Sequence, residues 1–372
     1  MIIQSDTTKD KNRVLMYSQR NIFEKFHYRC AITEFENLIC QMDSVDLLEP
    51  RSKKRFKYGT RFAQRLAADY AFSFNPGIPK QKVKGEYDLF FAHCQFPKDL
   101  LHVKSVENWD NCAKTSICWL TEIWVSELHK YRYYLDILAK FDIVVMNLSS
   151  SVSAVNKIIG DKAFFMPLGI DAVLFSPYPN PPQRVIDMYS IGRRSEKTHQ
   201  ELLRMAKNNQ FFYIYDSIIG DKVMHSEQHR FLFANMLKRS KYFRVDPGKI
   251  DVPEERTVQS EIGNRFFEGC AAGAVMIGEH PQTEIFKEIF YWPDAVINLP
   301  FHSEEIEKII KELNDDPERI ERVSRKNVTE SLARHDWLYR WEIILQKAGL
   351  EPLSGFYERR NVLRDLGSIA KN

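Results

Sequence analysis

Arg193, Arg194 and Lys197 stand directly after an apolar run, Val185 to Ile191, and a glycine, Gly192. Basic side chains at such a turn suit an anion, because arginine offers a planar fork to two phosphate oxygens and lysine a compact point charge. An ordinary basic loop is the competing interpretation. A second group, Ser260, Glu261, Ile262 and Gly263, leads into a helical pattern over 263–272. The first N–H groups of a helix lack intrahelical partners and lie at the positive end of its dipole, so a loop feeding a helix is a ready phosphate site. Ser260 is expected to cap this helix, Gly263 to let a ligand approach the backbone, and Gly273 to end it in a left-handed conformation. Within it, Glu268 is the one carboxylate in RFFEGCAAGAVMIG (Arg265 to Gly278), a stretch otherwise fit for a core. An unpaired buried charge is costly. Glu268 is therefore either paired with Arg265 on a solvated face or held for a purpose.

Other polar residues are weighed in the same way. His93 and Glu122 fall at or just past the ends of apolar runs, where ligands of open α/β sheets bind. Glu122 can orient a hydroxyl or cap a helix. His225 and His229 are four apart, a spacing able to hold metal, but the intervening residues lack the glutamate of a zinc-protease helix and a surface placement is expected. The six cysteines form no C-x-x-C pair and are expected as reduced thiols, without structural zinc. No G-x-G-x-x-G or Walker loop supports dinucleotide oxidoreduction or phosphoryl transfer from ATP. The balance of 53 basic and 50 acidic residues argues against bulk nucleic-acid binding. The segment Arg51 to Arg65 carries seven basic residues and no acidic one, interleaved with Phe56, Tyr58 and Phe62. It suits either contact with an anionic membrane or an ordinary solvated face.

The elements that must position these residues follow from periodicity. Val14–Tyr17, Tyr87–Ala92, Ser116–Leu120, Phe141–Met146 and Ala163–Met166 have the length and composition of buried strands, and Trp124 to Leu138 shows one apolar helical face. The alternation resumes with strands at 185–191, 211–215, 242–245, 274–277 and 295–299, between helices near 196–208, 226–238, 263–272 and 303–314. Such alternation predicts doubly wound parallel sheets. Pro177, Pro179, Pro181 and Pro182 break the two series and mark a linker. At 372 residues and 44% apolar content, two domains are expected. The N-terminus has no apolar signal region and no run is long enough to span a bilayer, so a cytoplasmic protein is expected.

Three segments carry a family resemblance. MPLGIDAVLFSP (Met166 to Pro177) resembles the interdomain junction of retaining, family-4-like glycosyltransferases of the GT-B type. SIGRRSEK (Ser190 to Lys197) is similar to the turn that opens their donor domain, and RFFEGCAAGAVMIG to the second half of their paired-glutamate motif. The resemblance implies two Rossmann-like domains facing a cleft: an acceptor-side domain at 1–170, a linker at 171–183, a donor domain at 184–335, and a C-terminal helix at 336–372 packing back. It implies metal-independent transfer from a nucleotide-diphosphate sugar, itself a substrate and not a cofactor, to a hydroxyl acceptor. By it, Gly192, Arg193 and Lys197 meet the diphosphate; Ser260, Glu261, Ile262 and Gly263 adjoin the donor; Glu268 accepts from the ribose hydroxyls; and Arg20, His93 and Glu122 face the acceptor. The family's first glutamate falls on Ser260, with Glu261 displaced by one residue. A non-catalytic nucleotide-sugar-binding protein and a sugar-nucleotide epimerase are the alternatives.

Overall fold

Two parallel sheets, each covered by helices, face one another across a cleft in the computed structural model, which describes residues 12–371 apart from 24–25, 52–58, 60–61, 64, 67–76, 84, 208–209, 216–221 and 253–258. The basic segment 51–65 therefore lies largely outside the described residues. The first sheet comprises β1 (Val14–Tyr17), β2 (Val45–Leu48), β3 (Tyr87–Cys94), β4 (Ala113–Leu120), β5 (Ile143–Met146) and β6 (Ala163–Phe165) in the order β2-β1-β3-β4-β5-β6. All its pairings are parallel, with Val14 opposite Val45 on one side and Leu89 on the other. The second comprises β7 (Ile186–Tyr189), β8 (Tyr213–Ile214), β9 (Ser240–Val245), β10 (Val275–Gly278) and β11 (Ile297–Asn298) in the order β11-β10-β9-β7-β8, again parallel. Strands such as VLMY and IVVM are apolar throughout because helices cover both faces.

Each order reverses direction once, between β1 and β3 and between β7 and β9. Ligands of open α/β sheets bind beyond the strand carboxyl ends at such points. β2 was not expected from its sequence: VDLL is a half-buried edge strand whose aspartate breaks the apolar run. The single helix expected over Trp124 to Leu138 is instead a 3-10 stretch, Val125–Tyr131, followed by an α-helix, Arg132–Leu138. No residue of the 3-10 stretch is buried, so tertiary packing does not enforce α geometry there.

The chain returns to the first domain at its end. Helices Trp337–Ala348 and Ser354–Lys371 pack on Cys30–Met42. Trp337 stacks on Phe35 with ring centroids 4.7 Å apart, and Trp341 donates from its indole to Asp43. This packing explains Gly169 of the junction motif: a Cβ there would stand 2.5 Å from the Trp337 ring. Asp336 ties the same corner together, accepting from the Ala172 N–H and pairing with Arg359, which also holds Asp171.

Candidate active site

A cleft of about 710 Å³ opens between the domains beyond the strand ends. The second domain contributes Gly192 and Arg193 after β7, Arg244 to Asp251 around the end of β9, and Gly263 and Arg265 at the start of helix Asn264–Ala272. His27, Tyr28, Phe96 and Glu122 face them from loops after β1, β3 and β4. Gly192 has φ +90°, a conformation that side-chain-bearing residues rarely adopt, and it turns the chain sharply out of β7.

The residues expected at the site divide into those the cleft collects and those it does not. Gly192, Arg193, Gly263 and Glu122 border it. Arg193 is half exposed and pairs with Asp251. Glu122 accepts from the Trp124 indole at 2.9 Å and from Gln95 at 3.4 Å, which fixes its carboxylate at the rim. Lys197 lies outside this lining, exposed and 3.8 Å from Glu304. The cap also differs from expectation. The helix starts at Asn264 with Gly263 as N-cap, and Ser260 lies one turn too early to serve. Gly273 does end the helix left-handed, at φ 65°.

Ser260, Glu261 and Ile262 border a separate crevice of about 10 Å³, room for no more than a water. Glu261 reaches the opposite domain: its carboxylate accepts from the Ser149 and Ser150 backbone N–H groups, each at 3.1 Å, and from Gln259 at 2.8 Å. It thus caps the turn ahead of helix Val152–Ile159. Burial pushes its carboxyl above the ordinary range, while Gln259 and the Ser150 backbone oppose the shift.

Glu268 is buried, with 2% of its side chain exposed, and its two oxygens pair with Arg230 and Arg265, each at 2.6 Å. Burial pushes its carboxyl up, but the two guanidiniums outweigh burial and hold it below the ordinary carboxylate range. The expected Arg265 partner is present, yet on a buried and not a solvated face. Arg265, and not Glu268, is among the residues that border the cleft. Arg230 continues the network across the domains to Glu34, at 2.7 Å. Glu34 in turn accepts from the Trp337 indole and the Asp171 N–H.

The acceptor-side candidates Arg20 and His93 are also placed elsewhere. Arg20 pairs with buried Glu36 at 3.0 Å. His93 is a core residue stacked on Trp119 and hydrogen-bonded to Thr121, its pKa lowered to about 3 by burial and by Arg29. It points its chemistry into the sheet's covering layer because β3 alternates sides, which a run of apolar neighbours does not reveal. His229 packs against Phe233, and among the described residues no cluster of three or more His, Cys, Asp or Glu can hold a metal with it.

Arg244 and Asp246 were not expected at the site. Arg244 donates to both Asp246 oxygens at 2.8 Å, and burial raises the Asp246 pKa to about 7 despite that partner. Their signal was available in the sequence: YFRVD places an arginine inside an apolar strand, the same oddity that marks Glu268.

Comparison with known proteins agrees with this geometry. The profile of a family described as glycosyl transferase-like matches residues 218–346, about a third of the chain. No curated protein matches the sequence. Among solved structures, HepE of Anabaena, in complex with UDP-glucose, superposes with TM-score 0.54 at 11% identity, over 90% of this chain and 99% of that one. An alpha-glucosyltransferase in complex with UDP-glucose and DNA containing an abasic site gives 0.52 at 11% identity, over 91% and 99%. The architecture is GT-B. A sucrose-phosphate synthase from Thermosynechococcus elongatus shares it at TM-score 0.50 and 10% identity, over 90% and 99%. At these identities the likeness is one of fold.

Proposed function

We propose that the protein transfers a sugar, with retention and without metal, from a nucleotide-diphosphate sugar to a hydroxyl acceptor. The observation that carries this reading is the cleft itself: it lies at the reversal points of two facing parallel sheets and is bordered by Gly192, Arg193, Arg244, Gly263 and Arg265. Backbone N–H groups at a helix start together with guanidiniums stabilise the negative charge that builds on a departing diphosphate. In this reading the bond from the anomeric carbon to the diphosphate oxygen breaks, the acceptor oxygen bonds to that carbon on the same face, and the acceptor proton passes to the departing diphosphate. Glu122 orients the acceptor at the rim. Glu268 acts indirectly, holding Arg265 at the cleft wall. Complexes of UDP-glucose with the two fold neighbours support a nucleotide-sugar donor.

One observation favours a second reading, a protein that binds nucleotide sugars without transferring them. Both carboxylates of the motif region are engaged within the protein, Glu261 by Ser149 and Ser150 and Glu268 by two arginines. The test is a panel of nucleotide sugars and hydroxyl acceptors, with released nucleoside diphosphate as readout, with and without EDTA. Acceptor-dependent release that survives chelation is expected. Binding without release across the panel favours the second reading, and abolition by EDTA with rescue by magnesium or manganese overturns the metal-independent one.

A further inference from the structure

The basic residues that border the cleft differ in what already occupies them. Arg193 pairs with Asp251 at the surface, Lys249 lies 3.3 Å from Glu127 and over the Trp124 ring, and Arg265 pairs with Glu268. Arg244 stands apart. Only 4% of its side chain is exposed, Nε and Nη2 are fixed by the two oxygens of Asp246, and the remaining nitrogen, Nη1, is buried with no hydrogen-bond partner among the described residues. A buried guanidinium N–H without an acceptor carries a desolvation cost that an incoming oxyanion removes. Asp246 holds the fork rigid, so little side-chain freedom remains to be lost on binding. Arg244 also lies near the carboxyl end of β9, beside β7, at the reversal point of the second sheet, and borders the same cleft as Gly192 and Gly263.

Resting on the donor reading above, we propose that Arg244 supplies the principal charge to the donor's diphosphate. In this chain that charge therefore comes from the strand β9 and not from Lys197 after β7, which is exposed, paired with Glu304 and outside the cleft lining. Two phosphate groups bring more negative charge than the half-exposed Arg193 can neutralise, and a charge-assisted bond strengthens as water is excluded around it.

The test is calorimetric titration of the full chain with UDP, GDP, ADP, uridine and inorganic pyrophosphate, in wild type, Arg244→Met and the double variant Arg244→Met with Asp246→Asn. The double variant removes the carboxylate left unpaired by the single one and keeps the experiment informative if the single variant melts early. Loss of one charge-assisted contact predicts roughly ten- to hundredfold weaker binding of pyrophosphate and of the preferred nucleoside diphosphate, with uridine affinity unchanged. Equal diphosphate affinities in wild type and a cooperatively melting variant overturn the role of Arg244 and leave the donor reading standing. Wild type that binds pyrophosphate through Arg244 but none of the nucleotides has the opposite meaning: the anion site stands and the donor reading falls. A wild type that binds none of the five probes overturns both.

Discussion

Replacing Arg230 by methionine tests the buried network that joins the two domains. Arg230, on helix Ser226–Lys238, has 5% of its side chain exposed and donates to Glu34 on helix Cys30–Met42 and to Glu268 on helix Asn264–Ala272. Methionine keeps most of the apolar stem and removes the charge, leaving two buried carboxylates short of a partner. Removing one partner of a buried ion pair costs about 3–5 kcal/mol. Glu34 retains the Trp337 indole and the Asp171 N–H, and Glu268 retains Arg265, which places the expectation at the lower end, about 3 kcal/mol. With an unfolding entropy of about 2.1 cal/mol/K per residue, that loss lowers the Tm by about 4 °C if the chain unfolds as one unit. The pH dependence is diagnostic. In wild type the Glu268 carboxyl is held low by Arg265 and Arg230 against burial, whereas burial holds that of Glu34 high despite Arg230. Without Arg230 both folded-state pKa values move up, so the folded variant binds more protons than folded wild type and loses stability relative to it as pH rises. The deficit of the variant is therefore largest near pH 8 and shrinks toward pH 5. Urea unfolding followed by circular dichroism at the two pH values measures it. A variant within 1 °C of wild type at pH 8, or a deficit that grows on acidification, would refute the argument.

Two further predictions concern the domain boundary and the cleft wall. Glu261→Ala removes the acceptor for the Ser149 and Ser150 N–H groups, and the loss of a helix-cap interaction predicts a cost of about 1–2 kcal/mol together with faster proteolysis between the domains; unchanged melts and cleavage would show that the contact is inconsequential. Asp246 has a folded-state pKa of about 7, above its unfolded value, so it makes stability fall between about pH 4 and pH 7 as the folded carboxyl gives up its proton. Asp246→Asn should flatten that part of the urea-midpoint profile, and identical profiles for the two proteins would remove the carboxyl from the account.

The sequence by itself determined the class of fold. Apolar runs of strand length alternate with helical periods, and ten of the eleven strands among the described residues arise where such runs stand, because a strand buried on both faces has no polar side to disguise it. The edge strand β2 escaped, since partial exposure lets an aspartate interrupt the pattern. Local chemistry was legible at Gly273, whose positive φ is a backbone requirement set within a few residues. The oddity of Glu268 was legible too, but not its use. Whether a buried carboxylate meets a ligand or an arginine depends on what distant segments bring to it. Arg230 is 38 residues away and itself answers to Glu34, a further 196 residues back. The same limit applies to His93, which the sheet turns into a covering layer, and to Lys197, which the helix after β7 directs to Glu304. Tertiary structure alone brought Arg244 to the border of the cleft, left one of its nitrogens without a partner among the described residues and set Glu261 across the domain boundary. Charge pairing over long sequence separations has no periodicity, so no local pattern announces it.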